Sequence, residues 1–289
     1  MNNNNNMKIF TQTWKPNSPS THLLGLVAMI HGYASESSWI FQLTAVAIAK
    51  LGFHVCALDL PGHGFSDGPR GYITDINPLV TDCIQYFNTA RLNFQEEHPD
   101  LPAFLYGESL GGAIAILVAL KQKKEWRGLV LNGPMCSVSA KFKPMWPLEK
   151  FLPAAALVAP RWRVVLTKSL VEKSFKEEWK RELFRRSPRA GKSEHPPART
   201  SLEMLRICKE IGRRSRELEL PLLVVHGRED SVCDWEAAEK VVEMAGSKDK
   251  TLKVVDGMWH QMIGDTVDNV EFGFGLIFSW LKNRAQLER

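Results

Sequence analysis

The strongest constraint on this chain is a rhythm, in which short apolar runs ending at turn formers alternate with segments of helical periodicity. LLGLVAMI (23–30), FHVCALDL (53–60), AFLYG (103–107) and GLVLNG (128–133) are dense in aliphatic residues and show little in–out alternation. Runs of that kind are what parallel strands buried on both faces look like. Between them, 39–51, 75–94 and 110–121 carry helical spacing. The rhythm returns after residue 220 as PLLVVHG (221–227), a helix near 235–245, TLKVVDG (251–257) and a helix over about 267–284. Strand–helix–strand alternation predicts an α/β architecture, with a mostly parallel central sheet flanked by helices and right-handed crossovers.

Residues 134–216 interrupt the rhythm with prolines and short amphipathic pieces, and read as a mostly helical insertion between the strand ending at Gly133 and the one starting at Leu222. The charge follows the same boundary. The chain carries a formal +5, but 141–216 alone holds 20 basic and 8 acidic residues, so the remainder is net acidic. A basic segment of this size suits an anionic membrane or an anionic substrate, or is the solvated face of surface helices. Residues 1–6, MNNNNN, cannot bury apolar surface and are expected to be a disordered tail.

Several classes are excluded early. No apolar stretch approaches the ~20 residues that span a bilayer. The start of the chain has neither a secretory h-region nor an Arg-rich transit pattern. Five cysteines with no C-x-x-C pair argue against a disulfide scaffold and a zinc site. The expectation is a soluble, cytoplasmic protein.

The chemistry concentrates in YGESLGG (106–112). Gly107-Glu108-Ser109-Leu110-Gly111 is a G-x-S-x-G directly after a buried strand and directly before the apolar helix AIAILVAL. That context is a nucleophile elbow, a tight strand-to-helix turn that exposes the serine Oγ at the carboxyl end of the sheet. A serine needs a base, and the base needs a carboxylate, in the order Ser, Asp, His. VVHGREDSVCD (224–234) offers Asp230 after one strand, and GMWHQM (257–262) offers His260 after the next. Asp234 is a weaker rival to Asp230. His98 and His195 lie in polar, Pro-flanked stretches and His54 lies inside a strand, while His63 and His226 suit local structural roles. Oxyanion donors are expected from the backbone N–H of Leu110 and, in MIHGYASESSW (29–39), of Tyr33. Two acyltransferase-like spellings, His54 to Asp59 and His226 to Asp230, are coincidental: the first lies within one strand, and the second uses the carboxylate that the triad needs.

Taken with ALDLPGHGFSDGPRGYI, GPMCSVSAKFKPMWP and SKDKTLKVVDGMWH, these motifs resemble the α/β-hydrolase superfamily, and more narrowly the monoacylglycerol lipase family with its plant caffeoylshikimate esterase branch. The resemblance runs from about Thr21 to Leu281. It implies an α/β-hydrolase fold with a helical cap (134–216) inserted after the sixth core strand of a core formed by 7–133 and 217–289. It also implies a Ser109–Asp230–His260 triad, oxyanion donors at Tyr33 and Leu110, and neither cofactor nor metal. SPRAGKSEHPPARTSLEMLRI (187–207) departs from the plant pattern, and since it lies in the cap it leaves the substrate open. Candidate substrates are small-molecule esters, either a monoacylglycerol or a hydroxycinnamoyl ester of shikimate. Apolar cap residues around Trp146, 151–159 and Trp162 suit an acyl chain, a pocket wall, a lipid-facing lid or packing of the cap onto the core. Peripheral membrane contact through the basic cap fits the first substrate, and nucleic acid is a poor explanation of charge sitting on an esterase lid. A ligand sensor that retains the triad without turnover, and acyl transfer to an alcohol, are the alternatives of other classes.

Overall fold

The computed structural model describes residues 1–16, 22–142, 148–163, 169–189 and 195–286. Seven strands form one sheet in the order β1-β3-β2-β4-β5-β6-β7. They are β1 (Thr11–Trp14), β2 (Gly25–Ile30), β3 (Phe53–Leu58), β4 (Ala103–Glu108), β5 (Gly128–Asn132), β6 (Leu222–Gly227) and β7 (Lys250–Val255). All neighbouring pairs from β3 to β7 are parallel, and only the edge strand β1 runs antiparallel, against β3.

The apolar runs lack alternation because each strand feeds two cores. Leu26, Ala28 and Ile30 of β2 pack on one face with α2 (Asn77–Glu97), α3 (Leu110–Lys121) and α8 (Trp235–Met244). Val27 and Met29 pack on the other face with α1 (Phe41–Lys50) and α9 (Val267–Gln286). β4 divides in the same way, Leu105 to the first core and Phe104 and Tyr106 to the second. Polar residues are therefore pushed to the strand ends.

The segment between β5 and β6 holds α4 (Leu148–Val158), α5 (Leu170–Ser174), α6 (Glu178–Arg185) and α7 (Ala198–Arg214). Its helices do not stand apart from the core. Ile207 and Ile211 in the second half of α7 are fully buried in the same cluster as α3, while Ala198 at its start packs with Leu152 and Ala156 of α4. Val171 of α5, Phe175 just after it and Phe184 of α6 close around Ile40. Trp146 and residues 190–194 of the divergent segment lie outside the described residues.

Two expectations are corrected. The insertion follows the fifth strand of the described chain rather than a sixth. Among the described residues ahead of β2, β1 is the one strand, and residues 2 and 8 meet in a single antiparallel bridge. The reason also overturns the disordered tail. Asn3 is buried, its Oδ1 accepts from the N–H groups of Asn5 and Met7 at 3.0 and 2.9 Å, and its Nδ2 donates to Asp82 of α2 at 2.9 Å. A short amide side chain that bonds its own turn replaces the strand that the segment lacks.

The elbow depends on close backbone approach. A Cβ at Gly111 would lie 2.2 Å from the Ile30 carbonyl oxygen, so only glycine lets α3 start against β2. Gly212 of α7 has nothing within 4 Å of an added Cβ. Gly111→Ala is expected to destabilise by more than about 2 kcal/mol, since fixed backbone must shift. Gly212→Ala should stabilise by roughly 0.5–1 kcal/mol through helix propensity. Urea midpoints of the two variants check both signs.

Candidate active site

Three loops leave the carboxyl edge of the sheet from β4, β6 and β7, and they carry Ser109, Asp230 and His260. Ser109 sits at φ 53°, ψ −119°, a left-handed conformation rare for a residue with a side chain. The turn holds it there: its carbonyl accepts from Met135 at 3.0 Å and from Ala113 at 3.2 Å, and its N–H donates to Asn132 at 3.2 Å. His260 Nε2 is 2.9 Å from Ser109 Oγ, and His260 Nδ1 is 2.6 Å from Asp230 Oδ2. The structure thus brings together, from positions up to 151 apart in sequence, the three side chains expected from the motifs. Asp234 lies apart and caps α8, its Oδ1 accepting from the N–H of Glu236 at 3.1 Å.

Asp230 is buried, and burial alone would raise its carboxyl. The charge of His260 and hydrogen bonds from His226 and His260 outweigh burial and hold it well below the usual carboxylate range. Its Oδ1 accepts from the N–H groups of Val232 and Cys233 at 2.8 and 2.9 Å. An ionised, fully hydrogen-bonded aspartate keeps the histidine proton on Nδ1 and leaves Nε2 free to accept.

The loop after β2 faces the serine: a Cβ on Gly32 would lie 3.2 Å from Ser109 Cβ. Among the described residues, neither the Tyr33 N–H nor the Leu110 N–H donates to a protein acceptor. Buried side chains fix this loop. Asp59 accepts from the N–H of Ser37 at 2.6 Å and of Phe65 at 2.8 Å, and Tyr33 Oη donates to the Gly71 carbonyl at 2.9 Å. His31 Nε2 accepts from the Leu60 N–H at 3.0 Å, which leaves its proton on Nδ1, 2.8 Å from the Gly32 carbonyl.

With this geometry in place, comparison with known proteins is decisive. Residues 21–267 match the Hydrolase_4 family, described as serine aminopeptidase, S33. The chain belongs to the Hydrolase_4 family. It is 31% identical over 288 residues to caffeoylshikimate esterase of Arabidopsis thaliana, covering 97% of this chain and 84% of that protein. It is 29% identical over 282 residues to monoglyceride lipase of Homo sapiens, covering 96% and 88%. A soluble variant of monoglyceride lipase from Saccharomyces cerevisiae, solved with a substrate analogue, superposes with a TM-score of 0.83 at 20% identity over 96% of this chain and 92% of that one, a likeness of fold.

In this Hydrolase_4 chain the sequence reasoning missed three side chains around the triad. Glu108, the variable residue of G-x-S-x-G, is buried and accepts from Tyr106 Oη at 2.5 Å and from Asn132 Nδ2 at 3.3 Å. Burial raises its carboxyl, against those bonds and the charge of His260. Cys233 is buried beside the triad, and burial together with Asp230 pushes its thiol well above the ordinary range. His226 bonds Asp230 directly, Nε2 to Oδ2 at 3.0 Å. The only local signal was its position four residues before Asp230 at the end of β6.

Asp230, Cys233 and His260 offer a carboxylate oxygen, a thiol sulfur and an imidazole nitrogen within 4.8 Å of one another. Both oxygens of the carboxylate are already committed, Oδ2 to His260 Nδ1 and Oδ1 to two backbone N–H groups. A carboxylate so occupied disfavours metal ligation by the trio.

Burial holds His31 down at about 4 and His63 at about 3, with His31 adding to the effect on His63. The unfolded chain takes up these protons near the ordinary histidine value, so stability falls as pH drops below about 6.5 and continues to fall toward the two folded values. His31 alone should withdraw about 3 kcal/mol between pH 6.5 and 4. Urea unfolding at stepped pH measures the slope; a flat profile over that window would contradict the neutral pair.

Proposed function

We propose that Ser109, His260 and Asp230 form the catalytic triad of a carboxylic-ester hydrolase, with the N–H groups of Tyr33 and Leu110 as oxyanion donors. The observation that carries this reading is the unbroken chain from Ser109 Oγ through His260 to Asp230, with contacts of 2.9 and 2.6 Å. In this mechanism His260 Nε2 takes the Ser109 proton as Oγ attacks the ester carbonyl, and Asp230 stabilises the imidazolium. The oxyanion is met by the two free N–H groups, His260 returns the proton to the departing alcohol, and a water activated by His260 clears the acyl-enzyme.

The family membership and the named esterase and lipase relatives support ester hydrolysis over the peptidase in the family description. For the substrate, the reading we favour is a monoacylglycerol. It is supported by an apolar ridge on α4, where Leu157 and Val158 are 83% and 84% exposed and Phe151 lies nearby, with Trp162 just beyond. Such a ridge beside cations suits peripheral contact with a lipid surface. No helix of the described residues is long and apolar enough to cross a membrane, so any membrane contact in this reading is peripheral. In this reading residues 134–216 act as a cap over the serine.

One observation favours a hydroxycinnamoyl ester of an anionic alcohol instead. A cleft of about 460 Å³ is lined by Lys141, Lys173 and Arg181 together with Glu172, Glu229 and Trp259, the last two next to Asp230 and His260 in sequence. Cations and an indole together suit a carboxylate attached to a ring.

Ser109→Ala is expected to lower ester turnover by about 10⁴-fold or more and to abolish labelling by a fluorophosphonate. Steady-state turnover of a p-nitrophenyl ester separates an enzyme from a ligand sensor. Comparing kcat/KM for a monoacylglycerol with that for caffeoylshikimate decides the substrate: at least tenfold preference for the monoacylglycerol is expected, and the reverse preference overturns that choice.

A further inference from the structure

The Asp230 carboxylate has more donors than a triad requires. Oδ1 accepts two backbone N–H groups, and Oδ2 lies 2.6 Å from His260 Nδ1 and 3.0 Å from His226 Nε2. His226 is 1% exposed, and its Nδ1 is buried without a partner among the described residues. These two facts fix its tautomer. A proton on Nδ1 would leave a buried N–H unpaired and set the Nε2 lone pair against a carboxylate oxygen. A proton on Nε2 makes a charge-assisted bond and leaves only a lone pair unmatched.

We propose that His226 is a positioning residue for the reaction, a permanent Nε2–H donor that shares one carboxylate oxygen of Asp230 with His260 and thereby limits how tightly the Asp230–His260 pair holds its proton. The proposal rests on the reading of Ser109, His260 and Asp230 as the catalytic triad. Two effects of the second donor act in the same direction. It favours the ionised form of Asp230, and it withdraws charge from the oxygen that would otherwise stabilise the His260 imidazolium. Both lower the proton affinity of the pair, so the base stays unprotonated to lower pH. The bond also fixes the rotation of the carboxylate, leaving Oδ2 pointing at His260 rather than turned toward Cys233. The other titratable groups facing the pair are Glu108 at the end of β4 and Cys233 in the loop after β6, and burial raises both. Neither is touched by changing His226.

The test combines spectroscopy and kinetics on the full chain. Nitrogen-15 imidazole shifts of the wild-type protein should show His226 with its proton on Nε2 and His260 with its proton on Nδ1; a proton on Nδ1 of His226 overturns the proposal without any variant. His226→Leu removes the donor, and the acid limb of kcat/KM against pH should move up by roughly half to one unit, with the plateau about tenfold to a hundredfold lower. His226→Gln offers a carboxamide N–H to the same oxygen and should return the limb to the wild-type position. A lowered plateau with an unmoved limb in His226→Leu marks a merely structural residue and overturns the proposal, as does a His226→Gln limb that moves as far as that of the leucine variant. Should His226→Leu not fold, the tautomer and the glutamine limb still decide. Failure of the triad reading shows separately, as turnover that survives Ser109→Ala while the His226 tautomer is unchanged.

Discussion

Because β2 to β7 run parallel and bury side chains on both faces, every connection from their carboxyl ends emerges along one edge of the sheet. That edge is the place where polar side chains from distant segments can meet without entering either core. Ser109, Asp230 and His260 are each the product of this rule, as is the loop bearing Tyr33 after β2. The apolar density of the strands and the polar cluster at their ends are one constraint seen from two sides. An apolar residue moved to the edge would lose burial, and a charged one moved inward would lose its hydrogen bonds.

The edge is nonetheless dry enough that its charges need partners. Two buried carboxylates both take backbone N–H groups, with different outcomes. Asp230 takes two backbone N–H groups on one oxygen and two imidazoles on the other. Asp59 takes the N–H groups of Ser37 and Phe65, which ties the loop after β2 to the turn that holds His63. Burial raises the carboxyl of Asp59 in spite of those two bonds, and it raises that of Glu108, whose partners are a phenol and an amide. Of the three, Asp230 alone meets two imidazoles, and the charge of His260 with the hydrogen bonds from His226 and His260 outweighs burial.

This division also explains what the sequence reveals. The doubly buried strands were legible because burial on both faces writes itself into consecutive residues, and the meeting of Ser109, Asp230 and His260 was legible because G-x-S-x-G and the two later loops sit at fixed places relative to those strands. β1 was not, since TQTW is three half-buried residues and one exposed at a sheet edge, with weak patterning of its own. The Asn run misled because composition favours disorder, while one residue of it, Asn3, satisfies its own turn and reaches Asp82. Glu108 and His226 escaped because their roles depend on partners brought close by the fold, Asn132 for one and Asp230 for the other. His226 lies only four residues from Asp230, yet nothing in a strand-to-loop sequence says that the two side chains will turn toward each other.

The basic excess of 141–216 takes on a different meaning from the one that composition suggests. Many of its cations are engaged within the molecule. Lys176 donates to the Gly257 carbonyl at 2.8 Å and Lys180 to the Asp265 carbonyl at 2.6 Å, the two sides of the loop that carries His260. Arg163 donates to the Arg70 carbonyl and Arg199 to that of Thr74, on the segment that Tyr33 Oη also grips through Gly71. Arg206 and Arg214 pair with Glu203 and Glu217. Carbonyl oxygens at loop ends are acceptors that no strand satisfies, and long cationic side chains reach them across a gap that shorter donors would not span. The positive charge of the inserted helices thus fastens them to the loops on either side of the serine. Cations seated on both flanks of the His260 loop join the insertion to the edge that carries Ser109, and a cation spent on such a carbonyl is less free to meet an anionic surface or substrate.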